Sequence, residues 1–142
     1  MTAEVWNRRF PRDVAALRAI FEYVRSYVAH EHLDPGCAFD ADLVLEELFT
    51  NLVRHNRGAH EIEIAFSRAD GDLVLTVRDF DVDPFDPTRR VNSAAPDAGP
   101  DLSPGGRGIL LIHRLSKEFT YNYSGRTSTL VARLDVKRAR ES

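Results

Sequence analysis

The sequence Gly105-Gly106-Arg107-Gly108 follows a proline-rich segment and leads directly into the apolar residues 109–112. Glycines in front of a helix let backbone N–H groups come close to a ligand, and the positive end of the helix dipole then faces that ligand. The pattern therefore predicts a phosphate-binding turn followed by a helix over about residues 108–116. An ordinary helix-capping turn uses the same residue types, so this stretch alone leaves both interpretations open.

The size and composition of the chain predict a single domain over residues 1–142. Of its 142 residues, 43% are hydrophobic, which suffices for one core without disulfides or metal ions. The formal net charge is −3 and the basic residues form only a short run at 137–140, so nucleic acid is not an expected partner. Cys37 is the only cysteine and has no histidine spacing suited to zinc. We interpret it as a small filler in the loop after the first helix.

The N-terminal residues resemble neither a signal peptide nor a transit peptide. The sequence also has no apolar run long enough to cross a bilayer. We therefore expect a cytoplasmic protein without a membrane partner.

The hydrophobic periodicity predicts the order of the elements. They are a strand over residues 4–10, a helix over about 12–31, a helix from about Asp40 to Arg57, a hairpin turning at Asp70-Gly71, a proline-rich segment over 80–104, a helix over about 108–116, and a hairpin turning at Ser124-Gly125 with its last strand over 127–136. Because tight turns join most of the strands, the sheet should be mostly antiparallel, with the helices packed on one face. The expected fold class is a two-layer α/β sandwich.

The second predicted helix carries polar residues within an otherwise apolar surface. Glu47 and Asn51 lie four residues apart, so their side chains project from one face, one turn apart. An amide oxygen can coordinate a hard cation such as Mg²⁺, and a carboxylate can orient or deprotonate a hydroxyl. The helix alone also fits the simpler interpretation that this stripe is a solvated face.

Asp79 stands where the second strand of the first hairpin runs into the proline-rich segment. A carboxylate there can accept a hydrogen bond from the exocyclic amine of adenine, or it can simply end a strand. The segment that follows, residues 80–104, contains five of the seven prolines of the chain. A loop of that length is typical of a functional lid or a disordered segment.

Taken in chain order, these motifs resemble those of the Bergerat-fold (GHKL) ATPases, which include gyrase B, the MutL proteins and the histidine kinases. Within that superfamily the chain is most similar to the small bacterial anti-sigma-factor serine/threonine-protein kinases. Residues 43–55, LVLEELFTNLVRH, resemble the N box of that family; residues 84–87, PFDP, resemble its post-G1 signature; and residues 105–112, GGRGILLI, resemble its G2 box. The resemblance spans nearly the whole chain and implies a Bergerat fold.

The resemblance also implies roles for the matching residues. Glu47 would be the general base, Asn51 the Mg²⁺ ligand and Asp79 the adenine acceptor. Gly106 and Gly108 would hold the phosphates of ATP at the hinge of the lid.

Further roles follow from the same resemblance. Arg107 would neutralise charge that develops on the transferring phosphoryl group. His55, one turn beyond the N-box asparagine, would line the phosphate side. Thr127 or Thr129 on the last strand would help to hold the adenine acceptor, although both also fit as ordinary strand residues.

The family resemblance implies partners as well. It implies ATP and Mg²⁺ as cofactors, and a small STAS-domain anti-anti-sigma factor as the protein that is phosphorylated on serine. In its other state the protein would bind a sigma factor, and it would be a homodimer. Two alternatives stay open: a binding module that holds these partners with little or no phosphorylation, and the catalytic fragment of a histidine kinase. The second lacks the expected upstream helical hairpin with a phospho-accepting histidine.

One position departs from the family pattern. Where the family has Asp-x-Gly, this chain has Asp79-Phe80-Asp81, and the run to Phe85 is one residue longer than usual. The glycine lets the backbone pass close to the base, whereas a second carboxylate can crowd or repel the nucleotide. We therefore expect weakened ATP binding, which the substitution Asp81→Gly should tighten.

Overall fold

The computed structural model describes residues 6–55, 58–84 and 104–136, and over residues 104–109 it describes the backbone alone. Its elements, in chain order, are β1 (Trp6–Phe10), a turn of 3-10 helix (Val14–Ala16), α1 (Leu17–His30), α2 (Gly36–His55), β2 (Ile62–Ala69), β3 (Asp72–Phe80), α3 (Pro104–Leu115), β4 (Ser116–Ser124) and β5 (Thr127–Leu134). The expected lid lies outside the described residues except at its two ends. The PFDP signature beyond Pro84 lies outside them too.

The strands of the described part form one sheet in the order β1-β2-β3-β5-β4. Its four pairings are all antiparallel, as the tight turns predicted. Asp70 and Gly71 both have positive φ in the turn between β2 and β3, and Gly125 and Arg126 do so between β4 and β5. The predicted two-layer α/β sandwich with a mostly antiparallel sheet is confirmed.

The core lies between one face of this sheet and the helices. Alternate residues of β2, β3 and β5 are buried, as are one side of α1 and nine of the 20 residues of α2. The largest fully buried side chains are Phe10, Ile20, Leu45, Leu48, Phe49, Leu52, Ile62, Ile64, Leu73, Leu75 and Ile112. Within the described part of the chain, none of the helices combines the length and apolar composition that a membrane span needs.

Helix α2 begins at Gly36, four residues before the predicted start near Asp40. The carboxylate of Asp34 accepts the backbone N–H of Gly36 at 2.8 Å, and the carbonyl of Asp34 accepts the N–H of Cys37 at 3.0 Å. These contacts satisfy donors that a helix start otherwise leaves unpaired. Cys37 is therefore a buried residue in the first turn of α2, and its prediction as loop filler was wrong.

Helix α3 begins at Pro104, before the glycine cluster rather than after it. Proline suits the first position of a helix because its missing N–H would have no helical partner there. Gly106 and Gly108 accordingly lie in the first two turns of α3 instead of in a preceding loop.

Candidate functional site

Asp79 lies near the end of β3 and is fully buried. Alternation along the strand turns Leu75, Val77 and Asp79 to the helix-covered face, which carries a carboxylate into the core. Both carboxylate oxygens accept hydrogen bonds from the Arg12 guanidinium: Nη1 donates to Oδ2 at 3.3 Å and Nη2 donates to Oδ1. The residue that the sequence assigned to adenine is thus already engaged by a cation.

Arg12 also contacts two other parts of the chain. Its Nε donates to the carbonyl of His60 at 3.2 Å, and its Nη1 donates to the carbonyl of Leu52 at 3.4 Å. Gly58 leaves room for the guanidinium, since a Cβ there would lie 2.7 Å from Nη2 of Arg12 and 2.9 Å from Cγ1 of Val82. Arg12 therefore ties together the end of α2, the segment that follows it and β3.

Sequence reasoning missed Arg12 because the pattern around Pro11 indicated only a helix start. The 3-10 turn is capped instead by Asp13, whose side chain accepts the N–H of Ala15 at 2.9 Å, and α1 begins at Leu17. The partner of Arg12 stands 67 residues away in the chain. Local periodicity in the sequence cannot predict a contact between residues so far apart in the chain.

Glu47 and Asn51 lie one turn apart on α2 in different environments. Glu47 is half-buried, and burial raises the pKa of its carboxyl group above the ordinary 4.5; nearby Glu46 adds to the rise and Arg54 opposes it. A carboxylate with a raised pKa is a better proton acceptor near neutral pH. Asn51 is buried, so the stripe is not simply a solvated face.

The side-chain nitrogen Nδ2 of Asn51 has no hydrogen-bond partner among the described residues. Buried polar groups are nearly always paired, so this atom has room for a partner such as a ligand, an ion or water. Leu52, the next residue, offers its carbonyl to the same Arg12 nitrogen that binds Asp79. The backbone beside Asn51 therefore approaches Asp79 through Arg12.

The glycine cluster belongs to an element that neighbours this helix. Helix α3 packs against α2, and the fully buried Ile112 anchors it in the core. Gly106 and Gly108 thus lie on the helix adjacent to the one that bears Asn51. The side chain of Arg107 lies outside the described part of the structure, and His55 is the half-buried last residue of α2.

Ser128, rather than either predicted threonine, shares a face of the sheet with Asp79. The register of β3 and β5 places Asp79 directly opposite Ser128, and directly opposite residues project to the same side. Thr127 and Thr129 flank Ser128 and therefore project to the other side. Ser128 is fully buried. The sequence missed it because the register between two strands that are far apart in the chain cannot be read from alternation alone.

Asp81 has φ of 54°, in the left-handed region that favours glycine and that Asp tolerates. Its exposed carboxylate accepts a hydrogen bond from Nε of Arg126 at 2.9 Å, and this bond holds the pKa of Asp81 below its ordinary value. Arg126 also contacts Asp83 at 3.3 Å and accepts the N–H of Val82 at its own carbonyl, at 3.0 Å. The carboxylate of Asp81, which the family pattern lacks, is thus paired with Arg126 in the β4–β5 turn.

The histidine kinase-like ATPase domain family matches residues 10–134, a span that includes every site residue predicted from the sequence. The chain belongs to this family. Its antiparallel sheet, covered by helices on one face, is the corresponding fold. No curated protein sequence matches the chain.

Three solved structures resemble this histidine kinase-like ATPase domain. One contains the RsbU and RsbW domains of a Mycobacterium tuberculosis protein, at 15% identity and a TM-score of 0.67, over 94% of this chain and 33% of that one. Another is the SiaB-SiaC complex from Pseudomonas aeruginosa, at 22% identity and a TM-score of 0.65, over 90% of this chain and 88% of that one. The third is the histidine kinase domain of a blue-light activated histidine kinase from Erythrobacter litoralis. It has 16% identity and a TM-score of 0.54, over 99% of this chain and 68% of that one. The TM-scores show a shared fold, and at these identities they show the fold alone. This chain spans about a third of the first structure's chain.

Proposed function

We propose that this single domain is a Mg·ATP-dependent serine kinase and anti-sigma factor that phosphorylates a STAS-type anti-anti-sigma factor in a partner-switching pathway. Membership of the ATPase family, the motif resemblance and the fold likeness to structures named for RsbW and SiaB-SiaC support it. The observation that carries it is the pair on α2: the raised pKa of Glu47, one turn from a buried Asn51 whose amide nitrogen is unpaired among the described residues.

In this proposal Glu47 accepts the proton of the partner's serine hydroxyl. The serine oxygen then bonds to the γ-phosphorus of ATP, the bond from that phosphorus to the ADP oxygen breaks, and ADP leaves. Such catalysis depends mainly on positioning and charge neutralisation, so the base acts together with the groups that hold the phosphates. Arg107 is proposed to face the transferred phosphoryl group, and His55 to line the phosphate side.

The residues of α2 fit a magnesium ion. The side-chain oxygen of Asn51 is a hard ligand of the kind that Mg²⁺ prefers. Its nitrogen Nδ2, unpaired among the described residues, is a donor that a phosphate oxygen or a water molecule would satisfy. Among the described residues no group of three or more His, Cys, Asp or Glu is arranged to hold a metal ion. Mg²⁺ in kinases commonly takes only one or two protein ligands and fills its shell with water and substrate phosphates. When bound, it would neutralise phosphate charge during transfer.

In this proposal residues of β3 and α3 hold the nucleotide beside α2. Asp79 is proposed to accept the amine of adenine, and Gly106, in the first turn of α3, to offer its backbone N–H to the phosphates. Gly108 lies in the second turn, where its lack of a side chain would let the phosphates come close to the helix. Ser128, which shares the face of Asp79, replaces Thr127 as the proposed support of that carboxylate.

Label transfer from ATP tests the kinase. The domain is incubated with labelled ATP, Mg²⁺ and a candidate STAS protein sought among the neighbouring reading frames, and we expect Glu47→Ala to lower transfer by about a hundredfold or more. Glu46→Ala is the matched control, since Glu46 is the adjacent, exposed glutamate on the same helix, and it should retain transfer. Equal losses in both variants would contradict the role of Glu47. Absence of transfer by the wild type at any ATP concentration would contradict the kinase.

A second candidate is a binding module that grips the STAS protein or the sigma factor with little or no phosphorylation. The Arg12 guanidinium on Asp79 favours it, because the carboxylate proposed for adenine is already engaged. A stable complex with the STAS protein that Mg·ATP fails to dissolve in size-exclusion chromatography would support this candidate. Dissolution of the complex by Mg·ATP would support the kinase.

We also propose that the domain acts in the cytoplasm as a homodimer, as the family resemblance implies. Sedimentation equilibrium of the purified domain tests the dimer, and a monomer at all concentrations would contradict it.

A further inference from the structure

We propose that Arg12 is an intramolecular occupant of the nucleobase site, which binds Asp79 in competition with the exocyclic amine of adenine and so sets the affinity for ATP. The inference rests on the proposed role of Asp79 in the binding of adenine. It adds a residue that the sequence motifs do not contain.

The geometry of the pair supports the proposal. Arg12 engages both oxygens of Asp79 with two different nitrogens, which is the two-pronged arrangement that makes arginine–carboxylate contacts strong and directional. The Arg12 side chain is 13% exposed and that of Asp79 is 0% exposed. By contrast, the Arg25 side chain in its pair with Asp42 is 51% exposed, so water competes there.

The surroundings of Arg12 hold its guanidinium in place. The carbonyls of Leu52 and His60 accept two further hydrogen bonds from it, and Gly58 has no side chain where one would collide with it. The guanidinium is therefore built into the region between α2 and β3. It is not a surface side chain that happens to reach a carboxylate.

The consequence for the nucleotide is a competition for one acceptor. A carboxylate oxygen that receives a charge-assisted hydrogen bond from Arg12 is a poorer acceptor for the neutral amine of adenine. The base must either displace the guanidinium or bind without this contact. In both cases the wild-type protein binds ATP weakly and discriminates little between bases with and without a 6-amino group.

Calorimetric titration measures this directly. The Kd of Mg·ATP and of the Mg complex of purine riboside triphosphate, which lacks the 6-amino group, is determined for the wild type, Arg12→Gln and Arg25→Gln. We expect Arg12→Gln to tighten ATP binding by about tenfold or more, and to raise the preference for ATP over the analogue by a similar factor, because a hydrogen bond to a charged acceptor has about that effect. Arg25→Gln, which breaks an Arg–Asp pair away from Asp79, should change neither quantity.

A second variant, Arg12→Lys, keeps the proposal testable if Arg12→Gln does not fold. Arg12→Lys keeps the positive charge but cannot form the two-pronged contact, so it should tighten ATP binding less than Arg12→Gln does. Circular dichroism checks that each variant is folded. If Arg12→Gln is not folded, Arg12→Lys is compared with the wild type: tighter ATP binding supports the proposal, and equal or weaker binding contradicts it.

Unchanged or weaker ATP binding with an unchanged base preference would overturn the role of Arg12 while leaving the kinase proposal intact. Absence of nucleotide binding in every folded variant, wild type included, would overturn the proposed function itself.

Discussion

Arg12 and Asp79 form the most buried ion pair among the described residues. Removal of one partner leaves the other as an uncompensated charge in the core, which typically costs about 3–5 kcal/mol. We expect Arg12→Gln to lower the free energy of unfolding by about that amount, and the double variant Arg12→Gln/Asp79→Asn to lower it by less. Urea denaturation of both single variants and the double variant measures the coupling; losses that simply add would contradict it.

Asp81 stands where the Asp-x-Gly pattern has glycine, and it adds a carboxylate at that position. It adopts positive φ as the family's glycine can, but its carboxylate is paired with Arg126. That pairing reduces the repulsion of a nucleotide that the sequence predicted. We therefore expect Asp81→Gly to tighten ATP binding, but by a smaller factor than Arg12→Gln. Titration of ATP into both variants compares them, and a larger effect of Asp81→Gly would contradict this order.

Asp34 and Asp40 are the two candidates for the residue that caps the start of α2. Asp34 accepts the N–H of Gly36 and caps the helix, whereas Asp40 lies inside it. Loss of a capping side chain costs about 1 kcal/mol. We expect Asp34→Ala to lower the free energy of unfolding by about that amount and Asp40→Ala to lower it less, as measured by urea denaturation. A larger loss for Asp40→Ala would place the helix start where the sequence predicted it.

The strands were predictable from the sequence to within a few residues, and the helix starts were less so. The β2–β3 hairpin follows from strict alternation on either side of Asp70-Gly71, where the turn residues themselves fix the register. The starts of α2 and α3 depend on which of several nearby Asp and Pro residues caps or opens the helix. Periodicity does not distinguish these candidates, because the apolar stripe is the same in either case.

The candidate site was predictable only as far as its motifs. The order of Glu47, Asn51, Asp79 and the glycines indicated one site, and the fold places their elements next to each other. The pairing of Asp79 with Arg12 required the tertiary structure, since nothing local distinguishes a buried arginine from a solvated one. The placement of Ser128 beside Asp79 depended on strand register in the same way.

Asp72 joins three strands at the opposite end of β3 from Asp79. Its carboxylate accepts hydrogen bonds from Nζ of Lys117 on β4 at 3.0 Å and from Nε of Arg133 on β5 at 2.6 Å. These two hydrogen bonds hold the pKa of Asp72 below its ordinary value of 3.8, and the bond from Lys117 has the larger effect. A carboxyl group whose pKa is lower in the folded state stabilises the fold above its unfolded pKa. That stabilisation is lost as the pH falls through the folded pKa.

We therefore expect Asp72→Asn to lower the free energy of unfolding at pH 7, and the difference from the wild type to shrink as the pH falls below about 4. Asp70→Asn is the matched control, because Asp70 contacts the same Arg133 at 3.4 Å but has a 93% exposed side chain. Its unfolding free energy should stay close to that of the wild type at every pH, since exposed pairs contribute little. Urea denaturation from pH 7 to acid measures all three proteins. A gap between wild type and Asp72→Asn that stays constant into strong acid would show that the ion cluster is not what binds these three strands together.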